Sequence, residues 1–159
     1  MTVWRGSYGN RYGAWRALAA AFMMRGCGLR RGEALAVESS WFQNGKLRVH
    51  QQQLSDSSHG PFKSRKPGEF RDVPTPQYVL NAVAGPGDGY LFHIPTRTFC
   101  TEFRKAADHA GLEGFTAHDL RHMFASSALA RGVPITDVAK FLGHRNIQVT
   151  SRPSALHLA

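Results

Sequence analysis

The dipeptide Asn44-Gly45 constrains the fold of this chain more than any other local feature. It separates two β-type runs, residues 41–42 and 47–50. Asn and Gly both adopt positive φ at low cost, so this pair favours a two-residue turn between antiparallel strands. The alternating segment 69–73 precedes Pro74 and can pair with the hairpin. We therefore expect a three-stranded antiparallel sheet, with residues 55–68 forming a polar loop.

The segments on either side of this sheet have helical patterns. Apolar residues recur at helical spacing, and Gly132 and Gly143 stand just past two of the expected helix ends. The expected helices cover residues 12–24, 31–38, 76–83, 96–110, 116–131 and 134–142. In the helix over 116–131, Leu120, Phe124 and Leu129 are expected on one side. Helices before and after one small sheet predict a mostly helical α+β fold, and the length of 159 residues predicts a single domain over 1–159.

The charge of the chain is strongly positive and comes mainly from arginine. Lys and Arg number 20 against 11 Asp and Glu, which gives a net charge of +9, and 15 of the 20 are Arg. The guanidinium fork binds phosphate oxygens in pairs, so this composition indicates a nucleic-acid partner, and a solvated basic surface is an equally compatible alternative.

The features that would direct a chain to or across a membrane are not seen in the sequence. No apolar run approaches the roughly 20 residues that span a bilayer, and the N-terminal residues lack the apolar core of a signal peptide. Cys27 and Cys100 are read as reduced thiols. We expect a cytoplasmic protein.

Four segments place phosphate-binding side chains at junctions between loops and helices. Arg30 follows the glycine-containing turn Gly26-Cys27-Gly28, and residues 61–66 form a basic loop. His118 and Arg121 share one helix face, because they are three residues apart. His144 lies just past a helix end. Each residue alone is equally compatible with an exposed or helix-capping role.

A metal site is the alternative for one of these segments. His118 and His122 have the i, i+4 spacing of zinc ligands, but no third ligand follows at a suitable distance. We expect neither a metal nor another cofactor.

Taken in order, the motifs resemble the catalytic domain of the tyrosine recombinase, or phage integrase, family. They read G-L-R-x-G-E, a hairpin Lys before R-D-V-P, then H-D-L-R-H and L-G-H, and they cover roughly residues 17–152. The resemblance implies a mixed helical fold with a small antiparallel sheet. It also implies transfer of a DNA phosphoryl group to a Tyr hydroxyl and back to a DNA hydroxyl. That chemistry requires no metal, because the covalent link conserves the phosphodiester energy.

The resemblance assigns roles to individual residues. Arg30 and Arg121, with His118 and His144, would stabilise charge on the non-bridging oxygens in the transition state. Glu33 would support Arg30. Lys63, with Lys66 as the alternative, would protonate the leaving 5′ oxygen. The expected DNA-binding residues are Arg30, Arg31, Lys63, Arg65, Lys66, Arg121 and Arg145.

The nucleophile of the family does not appear at its expected position. The Tyr would stand nine residues after His144, where this chain has Pro153. Proline has no hydroxyl, and the nearby Ser151 and Ser154 would form alkoxides that leave less readily than a phenolate. We expect a chain that binds DNA but does not cleave it alone. An active recombinase with its Tyr supplied in trans is an alternative.

A DNA-binding module of another class is a further alternative. Residues 137–152 loosely resemble a helix-turn-helix, although that interpretation leaves Arg30, Lys63, His118 and Arg121 unexplained. The recombinase resemblance also implies an N-terminal DNA-gripping domain and a C-terminal docking segment, both expected to be absent here. The expected partners are double-stranded DNA and other recombinase subunits on that DNA.

Overall fold

The computed structural model describes residues 12–62, 68–83 and 89–144. These residues form six α-helices and five short strands, which confirms the mostly helical α+β fold. The helices are α1 (Tyr12–Cys27), α2 (Arg31–Leu35), α3 (Gln77–Val83), α4 (Thr96–His109), α5 (Ala117–Ala130) and α6 (Ile135–Leu142). The strands are β1 (Phe42–Gln43), β2 (Lys46–Val49), β3 (Gln52–Gln53), β4 (His59–Gly60) and β5 (Arg71–Pro74).

The predicted three-stranded sheet is confirmed, in the order β1-β2-β5 with both pairs antiparallel. Asn44 and Gly45 form its tight turn with φ of 50° and 73°. Leu47 lies opposite Val73, and both are fully buried. Because side chains alternate along a strand, Arg48 and its partner Asp72 lie on the other, outer face.

A second, two-stranded sheet corrects the prediction of a loop over residues 55–68. Strands β3 and β4 pair antiparallel, with Gln53 opposite His59. The Gln53 side chain donates to the Ile94 carbonyl at 3.1 Å and accepts from Thr96 Oγ1 at 2.9 Å. These contacts are distant in sequence, so the local pattern of polar residues gave no sign of them.

Two helix ends also differ from the prediction. Helix α1 continues through Gly26 to Cys27. A Cβ at Gly26 would collide with Val79 of α3, so this glycine permits the close approach of two helices and does not end one. Helix α2 ends at Leu35 instead of residue 38. The chain leaves the helix there to pair with another segment, since Val37 accepts from Leu91 N at 2.9 Å.

The expectation that Leu129 shares a side of α5 with Leu120 and Phe124 is wrong. Leu129 is exposed, whereas Leu120 packs against the core. Nine residues at about 100° per residue place Leu129 opposite Leu120 on the helix. The residue of α5 that is buried is Arg121.

Helix α1 lies at the centre of the described part and contacts α2, α3, α4 and α5. Its buried residues belong to one apolar core that also includes the inner face of the sheet, with Met23, Leu35, Val49 and Phe99 among its members. Gly28 follows α1 with a φ of +64°. A Cβ at that position would lie 2.5 Å from Phe124 Cδ1, so the turn needs glycine and brings Arg30 beside α5. Within the residues described, no helix has the length and apolarity to cross a bilayer.

Candidate active site

Glu33 lies at the centre of the candidate site, in the first turn of α2. Its carboxylate accepts hydrogen bonds from the Arg30 backbone N at 2.7 Å and from Arg30 Nη1 at 3.0 Å. A carboxylate that reaches back to the residue before the helix satisfies a backbone N–H that has no partner within the helix. Glu33 is 1% exposed, so Arg30 is held between a buried anion and the surface, where 43% of its side chain is exposed.

Arg71, on the inner face of β5, binds the same carboxylate. Its Nη1 donates to Glu33 Oε1 at 3.0 Å and its Nη2 donates to Oε2 at 2.6 Å. Its Nε donates to the Phe141 carbonyl of α6 at 2.7 Å. Burial is the largest single influence on Glu33 and raises its pKa, but the charge and hydrogen bonds of Arg71 and the charges of Arg30 and Arg121 together outweigh it and hold the pKa at about 2.

Arg121 is 3% exposed and donates to backbone carbonyls at the ends of two helices. Nη1 donates to Gly28 O at 2.5 Å, and Nη2 donates to Leu142 O at 2.6 Å. Burial, together with the charge of Arg30, lowers the pKa of Arg121 to about 9, against the opposing effect of Glu33 at 3.9 Å. The guanidinium therefore stays charged at neutral pH, and the carboxyl end of α6 favours that charge.

His144 follows α6 through Gly143, which turns the chain with a φ of +68°. His144 Nε2 lies 3.2 Å from Arg121 Nη2. Since a guanidinium only donates, Nε2 is the acceptor and the ring proton is on Nδ1. Burial, and then the charges of Arg121 and Arg30, lower the pKa of His144 to about 4, so the ring is neutral at pH 7.

His118 stands in the first turn of α5, at the exposed rim of the cluster. Thr116 and Asp119 cap this helix, with Thr116 N donating to Asp119 Oδ2 at 2.7 Å. Burial, and then the neighbouring His122 and Arg121, lower the pKa of His118. The charge of His118 also lowers the pKa of His144. The guanidinium groups of Arg30 and Arg121 lower the pKa of both histidines.

The predicted site residues therefore fall into three groups. Arg30, Glu33, Arg121 and His144 form one connected cluster with His118 at its rim. Arg31 is on the surface of α2, where its Nη1 donates to Cys100 Sγ at 3.2 Å. The positions outside the described residues are Lys63, Arg65, Lys66, Arg145, Ser151, Pro153 and Ser154.

Arg71 is the site residue that sequence reasoning missed, although a signal was present. In the strand pattern R-D-V-P, Arg71 and Val73 share a face, and Val73 is apolar. An Arg on the buried face of a strand requires an anionic partner. Glu33 is the carboxylate that meets this requirement, but its position opposite Arg71 depends on the tertiary fold.

The cluster is suited to binding an oxyanion. Three guanidinium groups, from Arg30, Arg71 and Arg121, surround one carboxylate and leave an excess of positive charge. Arg30 and His118 face solvent at its edge. Among the side chains the structure describes, no three of His, Cys, Asp or Glu come together as a metal site.

Residues 10–153 match the model of the phage integrase family. Tyrosine recombinase XerA from Pyrococcus furiosus is 28% identical over 156 residues, which cover 86% of this chain and 50% of that protein. The integrase of Salmonella phage P22 is 41% identical over 59 residues, which cover 37% of this chain and 15% of that protein. The chain thus spans half or less of the length of these relatives.

Solved structures share the fold at low sequence identity. The Tn1549 transposon integrase in complex with transposon right end DNA has a TM-score of 0.69 at 14% identity, covering 91% of this chain and 58% of that one. The catalytic domain of bacteriophage HP1 integrase has a TM-score of 0.61 at 21% identity, covering 91% and 84%. With the motif order, the fold and the family match in agreement, this chain belongs to the phage integrase family, as a tyrosine recombinase catalytic domain.

Proposed function

We propose that residues 1–159 form a single DNA-binding domain whose cluster at Glu33 holds one phosphate of double-stranded DNA. The observation that carries this proposal is the convergence of Arg30 and Arg121 on the buried carboxylate of Glu33, with His144 in contact with Arg121. Arg30 precedes α2, Arg121 lies within α5, and His144 follows α6. A fixed array of cationic and neutral donors of this kind stabilises charge without reorganising when the charge develops.

The donors differ in the roles we propose for them. Arg30 extends from Glu33 towards solvent and offers its outer N–H groups to a non-bridging oxygen. Arg121 is held by hydrogen bonds to two carbonyls, and its buried guanidinium contributes positive charge to the site. Neutral His144 has its proton on Nδ1, which makes it a donor at neutral pH. His118 at the rim is a further donor, and Lys63 is proposed as the acid that protonates a leaving 5′ oxygen.

We propose that the chain binds DNA without cleaving it alone. In the family reaction a Tyr oxygen attacks phosphorus and the 5′ oxygen departs with a proton. Pro153 stands where that Tyr is expected, and proline has no oxygen to attack with. The relatives named above as recombinases or integrases support the reaction class.

A covalent adduct assay tests both parts. Nicked duplexes with randomised sequence around the nick trap any phosphotyrosyl product, which then migrates slowly on a denaturing gel. The unmodified chain should form no adduct, and Pro153→Tyr should form one. Adding Arg30→Ala to Pro153→Tyr should abolish it. An adduct with the unmodified chain contradicts the proposed deficiency.

DNA affinity distinguishes this proposal from a helix-turn-helix module at residues 137–152. Under the phosphate-site proposal, Arg30→Ala weakens binding to a labelled duplex. A module confined to 137–152 is indifferent to Arg30, so equal binding by the variant contradicts the phosphate site.

A further inference from the structure

Arg71 makes contacts that join separate parts of the candidate site. We propose that it is a positioning residue, which sets the relative placement of the segments carrying Arg30, Arg121 and Phe62 without touching DNA. This inference rests on the proposed function. Arg71 is 7% exposed, so its guanidinium is not available to a ligand in solution.

The first contact of Arg71 is with the segment that carries Arg30. Both Nη atoms bind the two oxygens of Glu33, and the same oxygens accept from the Arg30 backbone and side chain. Arg71 and Arg30 therefore together fix the orientation of the Glu33 carboxylate. If Arg71 moves, Glu33 turns and Arg30 moves with it.

The second contact is with the end of α6. Arg71 Nε donates to Phe141 O at 2.7 Å, and the next carbonyl along the chain, Leu142 O, accepts from Arg121. His144 follows two residues later. The hydrogen bond from Arg71 to Phe141 thus fixes the last turn of α6, which orients Leu142 and His144 towards Arg121.

The third contact is with the loop after β4. The Arg71 guanidinium carbon lies 5.3 Å from the centre of the Phe62 ring, and Phe62 is buried. Lys63 follows Phe62 directly in the sequence. A planar cation can stack on a ring while its edge donates in several directions, whereas the Lys ammonium offers one point charge. This is why we infer that Lys cannot replace Arg71.

Arg48 provides a matched control on the outer face of the same sheet. It binds both oxygens of Asp72 at 2.9 and 3.1 Å and lies 4.3 Å from the centre of the Phe70 ring. It therefore has the same kinds of partner as Arg71. Its partners belong to the outer face of the sheet and to none of the segments that carry Arg30, Arg121 or His144.

Substitution by lysine tests the inference while keeping the charge. We expect Arg71→Lys to weaken binding to a labelled 30-base-pair duplex by about 10-fold or more, because a displacement of about 1 Å is costly in a preorganised site. The pKa of His144, followed by NMR of its ring, should rise from about 4 towards its ordinary value. Arg48→Lys should change the affinity by less than about twofold and leave the pKa of His144 unchanged.

The outcomes separate the inference from the function on which it rests. If Arg30→Ala weakens binding but Arg71→Lys alters neither the affinity nor the pKa of His144, the positioning role is wrong and the phosphate site stands. If Arg30→Ala binds as well as the unmodified chain, the phosphate site is wrong. The pKa of His144 in Arg71→Lys then still decides the positioning role.

A measurement on the unmodified chain decides the case in which Arg71→Lys does not fold. Hydrogen exchange of the Arg71 Nε–H should be far slower than that of the Arg48 Nε–H, because Arg71 is 7% exposed and bonded to Phe141 O, whereas the Arg48 side chain is 43% exposed. Equal exchange rates would show that Arg71 does not hold Phe141 and would overturn the inference.

Discussion

The imidazole of His144 accepts a hydrogen bond from Arg121, with 3.2 Å between Nε2 and Nη2. This contact joins the second Arg of the H-D-L-R-H motif to the His of the L-G-H motif. It also determines which ring nitrogen carries the proton, since the guanidinium has no lone pair to offer. A neutral His with its proton on Nδ1 is a donor across the whole range of neutral pH, and Arg121 keeps it so.

The depressed pKa of His144 predicts a pH dependence of stability. Between about pH 6.5 and pH 4 the unfolded chain binds a proton at this ring and the folded chain does not, so stability falls as the pH falls. After allowance for solvent screening, we expect about 1 kcal/mol from this residue. Urea unfolding of His144→Gln, which retains an acceptor for Arg121, should show a correspondingly smaller loss at low pH. Parallel curves for the two proteins contradict the prediction.

Removing the charge of Glu33 should be strongly destabilising. Glu33→Gln leaves Arg71 and Arg121 buried with their anion gone, which typically costs about 3–5 kcal/mol. The control is Asp72→Asn, whose partner Arg48 is 43% exposed, and we expect less than about 1 kcal/mol there. Chemical unfolding of both variants measures the difference, and equal losses would refute the central role of Glu33.

Glu33 also predicts an acid limit to stability. Its folded pKa of about 2 lies below the ordinary value, so its stabilisation is fully present above about pH 4.3 and is lost as the pH falls towards 2. Unfolding of the unmodified chain between pH 5 and pH 2, compared with Glu33→Gln, should show this loss only in the unmodified chain. A loss of equal size in the variant assigns it to other carboxylates.

Gly28→Ala should disturb the site more than an equivalent change elsewhere. The new Cβ would lie 2.5 Å from Phe124 Cδ1 and 3.0 Å from Leu142 Cδ2, in addition to the strain of a φ of +64°. Gly111→Ala is the matched control, because its φ is +73° and nothing lies within 4 Å. Backbone strain costs about 1–2 kcal/mol in both, and the collision adds to it only at Gly28. Similar melting temperatures for the two variants contradict this.

The salt dependence of DNA binding reports on phosphate contacts. If Arg30 binds one phosphate, Arg30→Ala should reduce the slope of log affinity against log salt concentration by about 0.9. Arg48→Ala, on the outer face of the sheet, should leave that slope unchanged. Fluorescence anisotropy with a labelled duplex at several salt concentrations measures both. An unchanged slope for Arg30→Ala rules out its phosphate contact.

The sequence alone was sufficient to predict the elements that depend on the conformational preferences of one or two neighbouring residues. Asn44-Gly45 determined the hairpin because both residues tolerate positive φ. Gly143 determined the end of α6 for the same reason, with a φ of +68°. The order of the motifs also determined the family, since residue type and spacing persist along a chain whatever its tertiary contacts.

The tertiary structure decided the features that depend on distant partners. Helix α2 stops at Leu35 because Val37 pairs with Leu91. Strand β3 is held by the contacts of Gln53 with Ile94 and Thr96. The burial of Arg71 is explained by its hydrogen bonds to Glu33 and Phe141, which only the tertiary fold places beside it. A hydrogen bond between groups about 40 or 70 residues apart leaves no periodic trace in sequence, because its energy depends on where the fold places both ends.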